Sequence, residues 1–328
     1  MNDKRKILCL LPLLLLTALA GLYFGSADMS LGEFFLALAG RGEEAYSLIL
    51  WQLRLPRVLA GILAGIGLST AGVLLQSGTA NELAGPNIIG INSGAGLAVI
   101  VVLSAAPGAG KLLPFAAFAG AFGAALFILT AADRLSGSRS AILLIGIAIT
   151  TLLNAVISFL SLLDEGVLAQ YNHFTVGSLK AVRLDELAVP AVIILAAFLG
   201  AAALSHQLGV LCLGDSAAAA LGIRVKRLRI LALACAAAGA AAVVSFAGLL
   251  GFVGLVVPHI AKRLAGERPA KLLPCAALMG AVIVVLADLL GRTLFAPSEL
   301  PVGILMSMVG APYFLILLCR RRKYAGIS

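Results

Sequence analysis

Residues 230–261 read ILALACAAAGAAAVVSFAGLLGFVGLVVPHIA, with no Asp, Glu, Lys or Arg between Arg229 and Lys262. One unbroken helix of this length, at ~1.5 Å per residue, would reach well past the ~30 Å hydrocarbon core of a bilayer. Both flanks are strongly basic: Arg224, Lys226, Arg227 and Arg229 precede the stretch, and Lys262, Arg263, Arg268 and Lys271 follow it. Basic loops collect on the cytoplasmic side, so the two flanks share a side and an even number of crossings separates them. Gly248, Gly251 and Gly254 mark the reversal. The stretch is therefore read as two spans, 229–247 and 248–264. Crossings of about sixteen residues cover only ~24 Å, so either they borrow flanking residues or one is a partial helix.

The rest of the chain repeats the pattern. Of 328 residues, 61 % are hydrophobic and 12 % charged, which excludes a soluble domain. Further spans are predicted over 7–25, 55–76, 87–106, 112–132, 140–163, 187–204, 271–291 and 301–319. This makes an all-α, polytopic membrane protein of about ten crossings, one transmembrane domain over 1–328, with both termini on one side. The charges sort accordingly. Seventeen of the 24 Lys and Arg fall on the termini and alternate loops: Lys4, Arg5 and Lys6; Arg134 and Arg139; the two clusters above; and Arg320, Arg321, Arg322 and Lys323. The positive-inside rule makes that side, and both termini, cytoplasmic. Arg41, Arg54, Arg57, Lys111, Lys180, Arg183 and Arg292 lie on the other side, among most of the acids. The pI near 9.6 is thus a topology signal rather than a nucleic-acid footprint. The N-terminus also has a signal-peptide reading, with Ala18 and Ala20 in small-x-small spacing. Apolar character continues through Leu22, Tyr23 and Phe24, and removal of the first span would spoil the charge sorting, so a retained helix is preferred. Residues 30–38, SLGEFFLAL, are too short to span and read as an interfacial helix on the outer face.

Reactive chemistry is sparse. Cys9, Cys212, Cys235, Cys275 and Cys319 form no CxxC, and His173, His206 and His259 lie on three different segments, so no metal site is expected. Gly108, Gly110 and Lys111 lack the first Gly and the final Ser or Thr of a phosphate loop. Two spans carry stripes at four-residue spacing. Gly61, Gly65 and Ser69 read as a helix-packing face, because close backbone approach, not apolar burial, drives association in lipid. Gly146, Thr150, Asn154 and Ser158 grow more polar toward the outer end; Thr150, Asn154 and Ser158 either line a path or hydrogen-bond a neighbouring helix. Asp288 and Arg292, four apart, form a structural pair.

The loops carry ordered motifs. Arg54, Leu55, Pro56 and Arg57 open the second span. Asn81, Glu82, Leu83, Ala84, Gly85 and Pro86 follow its end, then Gly90, Ser93, Gly94 and Ala95. Leu213, Gly214, Asp215, Ala217, Ala218, Leu221 and Gly222 occupy the cytoplasmic loop 206–228. GFVGLVVPH runs over 251–259, Ala287 and Asp288 come next, and Glu299, Leu300, Pro301, Val302 and Gly303 precede Gly310, Ala311 and Pro312. This set, in this order, resembles the FecCD-type permeases of ABC importers for iron-siderophores, haem and cobalamin, over nearly the whole chain. Ala80, Glu82 and Gly85 depart from the usual Arg, Pro and Asp, and Phe174 stands where members often have Trp.

The resemblance implies a type II ABC importer. Two copies of the permease would form a homodimer around a central path, with two ABC ATPase subunits below and a solute-binding protein above, in the cytoplasmic membrane of a prokaryote. It implies that Leu213, Gly214, Asp215, Ala218, Leu221 and Gly222 couple the permease to the ATPase, and that Arg54, Arg57 and Arg292 dock the binding protein. ATP and Mg would be used by the partner ATPase; this chain would hold no cofactor and be no enzyme. Ferric siderophores are the expected cargo, with haem or cobalamin as alternatives. A proton-coupled carrier is the reading from another class. The scarcity of intramembrane acids weighs against it.

Overall fold

The computed structural model describes residues 7–325, except 26, 28, 107, 136–138 and 297, and is helical with no strand among them. Lys4, Arg5 and Lys6 lie outside the described residues. Each predicted span contains one helix: α1 (Leu10–Tyr23), α4 (Leu55–Thr79), α5 (Ile91–Ala105), α6 (Leu113–Leu135), α7 (Arg139–Leu163), α9 (Leu184–Leu211), α11 (Val225–Ala247), α12 (Val253–Ala265), α13 (Pro269–Thr293) and α14 (Val302–Ala325). The helical stretches that include α4, α6, α7, α9, α11 and α13 are long and apolar enough to cross a membrane, and α1, α5 and the apolar part of α14 are shorter. Four more helices lie between them: α2 (Leu31–Leu38), α3 (Glu44–Leu48), α8 (Glu165–Val176) and α10 (Asp215–Ala220).

The stretch 230–261 does break, and it resolves both ways at once. α11 borrows flanking residues back to Val225, whereas α12 is a 13-residue partial helix of about 20 Å. Between them the backbone is irregular, and buried polar groups away from water need partners. They find them: the Leu249 N–H donates to the Phe174 carbonyl, the Ser178 N–H to Ala247, and the Gly303 N–H to Gly177. The end of α8 thus bonds across the break, and the start of α14 is tied to the same segment through Gly177.

α4 is the centre of the bundle, packing on α13, α11, α9 and α12. Its glycines explain how. A Cβ on Gly72 would lie 1.8 Å from the Gly254 carbonyl oxygen of α12, and one on Gly65 would lie 2.3 Å from Gly280 of α13. Only a missing side chain allows backbones so close, which is the packing that stabilises helices in lipid. The Ser69 hydroxyl turns back to its own helix, donating to the Gly65 carbonyl at 2.6 Å.

Three elements differ from the sequence reading. α9 continues seven residues beyond its predicted end and takes over the start of the 206–228 loop. α3 passes through a π-helical turn, Ile49–Arg54, directly into α4. α8 fills what read as an outer loop; Asp164 caps it by accepting from the N–H groups of Gly166 and Val167. The short helix expected over 30–38 is present as α2, opened by a reciprocal Ser30–Glu33 capping box. Those hydrogen bonds hold the Glu33 carboxyl below the usual carboxylate range.

Candidate functional site

Charged side chains gather at the two ends of α4. At its N-terminal end, α4 starts with Pro56 in its first turn and Arg57 one residue on. The Arg57 Nε donates to both Asp288 carboxylate oxygens at 2.9 Å, and its Nη1 donates to Glu299 Oε2 at 2.9 Å. Arg292 Nε lies 3.8 Å from Asp288 Oδ2, and Arg292 Nη2 donates to the Gly21 carbonyl. Arg54 donates to the carbonyls of Leu22, Tyr23 and Ala27, tying α1 and the segment after it to α4. Buried charges need paired, hydrogen-bonded surroundings, and α13, α4 and the loop before α14 supply them here.

The i,i+4 pair expected between Asp288 and Arg292 is therefore the longer of two contacts. Asp288 belongs first to Arg57, 231 residues away in sequence. Periodicity along one helix shows only neighbours on that helix, so this partner carried no local signal. The three arginines expected to dock a binding protein are 4 %, 7 % and 3 % exposed for Arg54, Arg57 and Arg292, each with internal partners. They nevertheless share one recess of about 240 Å³, whose lining also includes Lys180 and Glu299. Lys180 stands at its rim, largely exposed and 3.6 Å from Glu299. Lys180 was read only as one of the outer charges, and Glu299 only as a motif residue.

Near the C-terminal end of α4, α10 sits between Gly214 and Gly222, both with positive φ (113° and 79°). Asp215 begins the helix and Ala218 is fully buried against the body. Leu213 and Leu221 point the other way, 72 % and 67 % exposed. Both leucines flank α10 rather than lie within it, so the segment buries Ala218 and leaves two large apolar side chains uncovered on the surface of the chain. The Asp215 carboxylate accepts from Arg229 Nη2 at 2.9 and 2.8 Å, while Arg229 Nε donates to the Gly78 carbonyl in the last turn of α4 at 3.0 Å. Two further pairs fasten this face: Lys226 to Asp133 at 2.9 Å and Lys262 to Glu82 at 3.1 Å. Glu82, one of the three departures from the family pattern, thus has a partner on α12.

The polar stripe of α7 divides. Thr150 Oγ1 accepts from Ser93 Oγ at 3.4 Å, whereas Asn154 and Ser158 are exposed on the surface of the chain. Among the described residues no group of three His, Cys, Asp or Glu comes together that could hold a metal ion.

Residues 13–320 match the family model of the FecCD transport family. The chain is 37 % identical over 321 residues to the Fe(3+)-citrate import system permease protein YfmE of Bacillus subtilis, covering 97 % of this chain and 96 % of that one. It is 38 % identical over 322 residues to the hemin transport system permease protein HmuU of Yersinia pestis, covering 94 % and 95 %. Among solved structures it is similar to a metal-chelate type ABC transporter in an inward-facing conformation, with a TM-score of 0.86 and 28 % identity over 97 % of this chain and 99 % of that one.

Proposed function

The chain belongs to the FecCD transport family and is a membrane permease, and on that premise we propose that it forms the path of an ATP-driven importer for ferric siderophores. In this reading two copies make a homodimer with ten crossings each and cytoplasmic termini, in the cytoplasmic membrane of a prokaryote. Two ABC ATPase subunits bind beneath, and a solute-binding protein delivers cargo from outside. The observation that carries the reading is α10. It is a six-residue helix between two glycines of positive φ, with Ala218 packed inward and Leu213 and Leu221 exposed, on the basic side that this reading makes cytoplasmic.

The mechanism asks no covalent chemistry of this chain. ATP binding and hydrolysis in the partner move a rigid lever against the bundle, and the helices pass between outward-open and inward-open arrangements. Net transport requires that the cargo prefer different states before and after release. Asn154 and Ser158 face the path in this reading, since polar side chains exposed on a span need water or a protein partner, and half-buried Thr150 stands at the inner edge of that face, bonded to Ser93. Arg54, Arg57 and Arg292 shape the outer recess where an acidic side chain of the binding protein docks, with Lys180 at the rim. The ferric-citrate and haemin relatives support a bulky iron chelate or haem as cargo. The pairing of Asp288 with Arg57 favours a structural acid over the proton site that a carrier would need.

The test is ATPase activity of the permease in nanodiscs with its cognate ATPase, adding binding protein alone and then loaded with ferric siderophore, haem or cobalamin. Stimulation is expected with the loaded protein and is lost in Gly214→Asp and Leu221→Asp. Solute movement down a proton gradient without any ATPase overturns the proposal.

A further inference from the structure

Arg229 occupies an unusual place. It lies in the second turn of α11 and is 5 % exposed, yet its partners belong to two other elements. One is the Gly78 carbonyl in the last turn of α4; the other is the carboxylate of Asp215, the first residue of α10. α10 itself packs on α9 and α11, and the guanidinium extends the connection to α4. The two ends of this link differ in environment: Asp215 is 45 % exposed on the loop, whereas Arg229 is held inside the bundle.

We propose that Arg229 is the positioning residue that transmits displacement of α10 to α4, so that the exposed loop and the central helix move together. This rests on the importer reading above. A guanidinium is planar and holds its donors in a fixed arrangement, so one rigid group engages Gly78 through Nε and Asp215 through Nη2 at once. Hydrogen bonds of 2.8–3.0 Å weaken steeply when stretched, so displacing α10 by an ångström or more either breaks the link or carries Arg229 and the end of α4 along. The Gly78 carbonyl belongs to the last turn of its helix, where carbonyls lack intrahelical partners and the dipole favours a cation, so the link grips α4 where it is most available. From there α4 runs through the core, against α13 by way of Gly65 and against α12 by way of Gly72, to Arg57. The Gln76 amide also donates to the Leu255 carbonyl at 3.3 Å, so α12 is engaged from the same turn.

The experiment is the number of cargo molecules moved per ATP hydrolysed, read in the same proteoliposomes for the full complex of permease, ATPase and binding protein. The cargo is a ferric siderophore with radiolabelled iron, with haem and cobalamin run in parallel. Arg229→Gln and Asp215→Asn are expected to lower the ratio about fivefold or more, the scale of a typical coupling between sites. A loss of folded protein alone lowers both rates and leaves their ratio unchanged. Arg229→Lys keeps the charge but not the fork, and its ratio stays low. Lys226→Gln, which removes the exposed pair with Asp133 one turn earlier, keeps the wild-type ratio. Should Arg229→Gln fail to fold, Asp215→Asn carries the test, because it alters a half-exposed loop side chain and leaves the Gly78 contact in place. A wild-type ratio in Asp215→Asn, restoration of the ratio by Arg229→Lys, or an equal fall in Lys226→Gln overturns the proposal. Wild-type complex that shows no ATP-driven uptake overturns the importer reading and the proposal with it.

Discussion

α4 and α7 are both 25 residues long, and both carry a stripe at four-residue spacing: Gly61, Gly65 and Ser69 on one, Gly146, Thr150, Asn154 and Ser158 on the other. Their fates are opposite. In the apolar stretch of α4, 78 % of residues are buried inside the chain, against 17 % for α7. Spacing defines a face of a helix; what the face meets depends on how near another backbone can come. The α4 stripe is small enough that Gly280 and Val285 of α13 close over it. The α7 stripe is polar, and beyond Thr150 it points away from the chain, beside Leu152, Phe159 and Leu162, which are 60 %, 62 % and 85 % exposed. Burying apolar surface gains little in hydrocarbon, so α7 is not drawn inward by its leucines, and its amide and hydroxyls need a partner or water elsewhere.

The contrast can be broken most severely at Gly72. Leucine there places a Cβ within contact of the Gly254 backbone, which cannot swing aside, so we expect a loss exceeding about 4 kcal/mol and little monodisperse protein on size exclusion in detergent. Next comes the N-terminal end of α4. Arg57→Met strips Asp288 of its close partner and should cost about 3 kcal/mol or more in thermal unfolding, while adding Asp288→Leu should restore only part of it, because Glu299 has still lost Arg57 and buried Arg292 has lost its carboxylate. At the C-terminal end Ala80 holds a left-handed conformation (φ 47°) as the α4 C-cap. Ala80→Gly relieves that strain at the expense of greater freedom in the unfolded chain, for a net gain of about 0.5–1 kcal/mol in the same assay. The smallest stability effect belongs to α7: Asn154→Leu and Ser158→Leu should change stability by no more than about 0.5 kcal/mol, yet lower cargo uptake in proteoliposomes. Unchanged uptake would place that face against lipid and leave α7 as no more than a poorly buried counterpart of α4.

Much of this fold was legible because hydrocarbon imposes rules that act locally along a chain. The break within 230–261 followed from charge parity on its flanks, and Gly248 is the C-cap where α11 ends. α8 was missed because Glu165, Gln170, Asn172 and His173 dilute its hydropathy, and the cap at Asp164 becomes informative only once a helix is expected there. The charged sites were legible as residues but not as partnerships. Arg54, Arg57 and Arg292 stood out by type and position, and their burial did not, since Arg at the end of a span can also reach to the interface.

The sequence by itself determined that the chain lies in a membrane and where its apolar segments fall, because span length and the placement of charge are properties of consecutive residues. Tertiary structure alone decided which stripe is sealed and which is open, and it decided the partners of the two arginines at the ends of α4. Arg57 finds Asp288 and Glu299 across 231 and 242 residues, and Arg229 finds Gly78 across 151. Those pairings exist only because close-packed backbones bring distant segments to within hydrogen-bonding reach, where an unpaired buried charge would be too costly to keep.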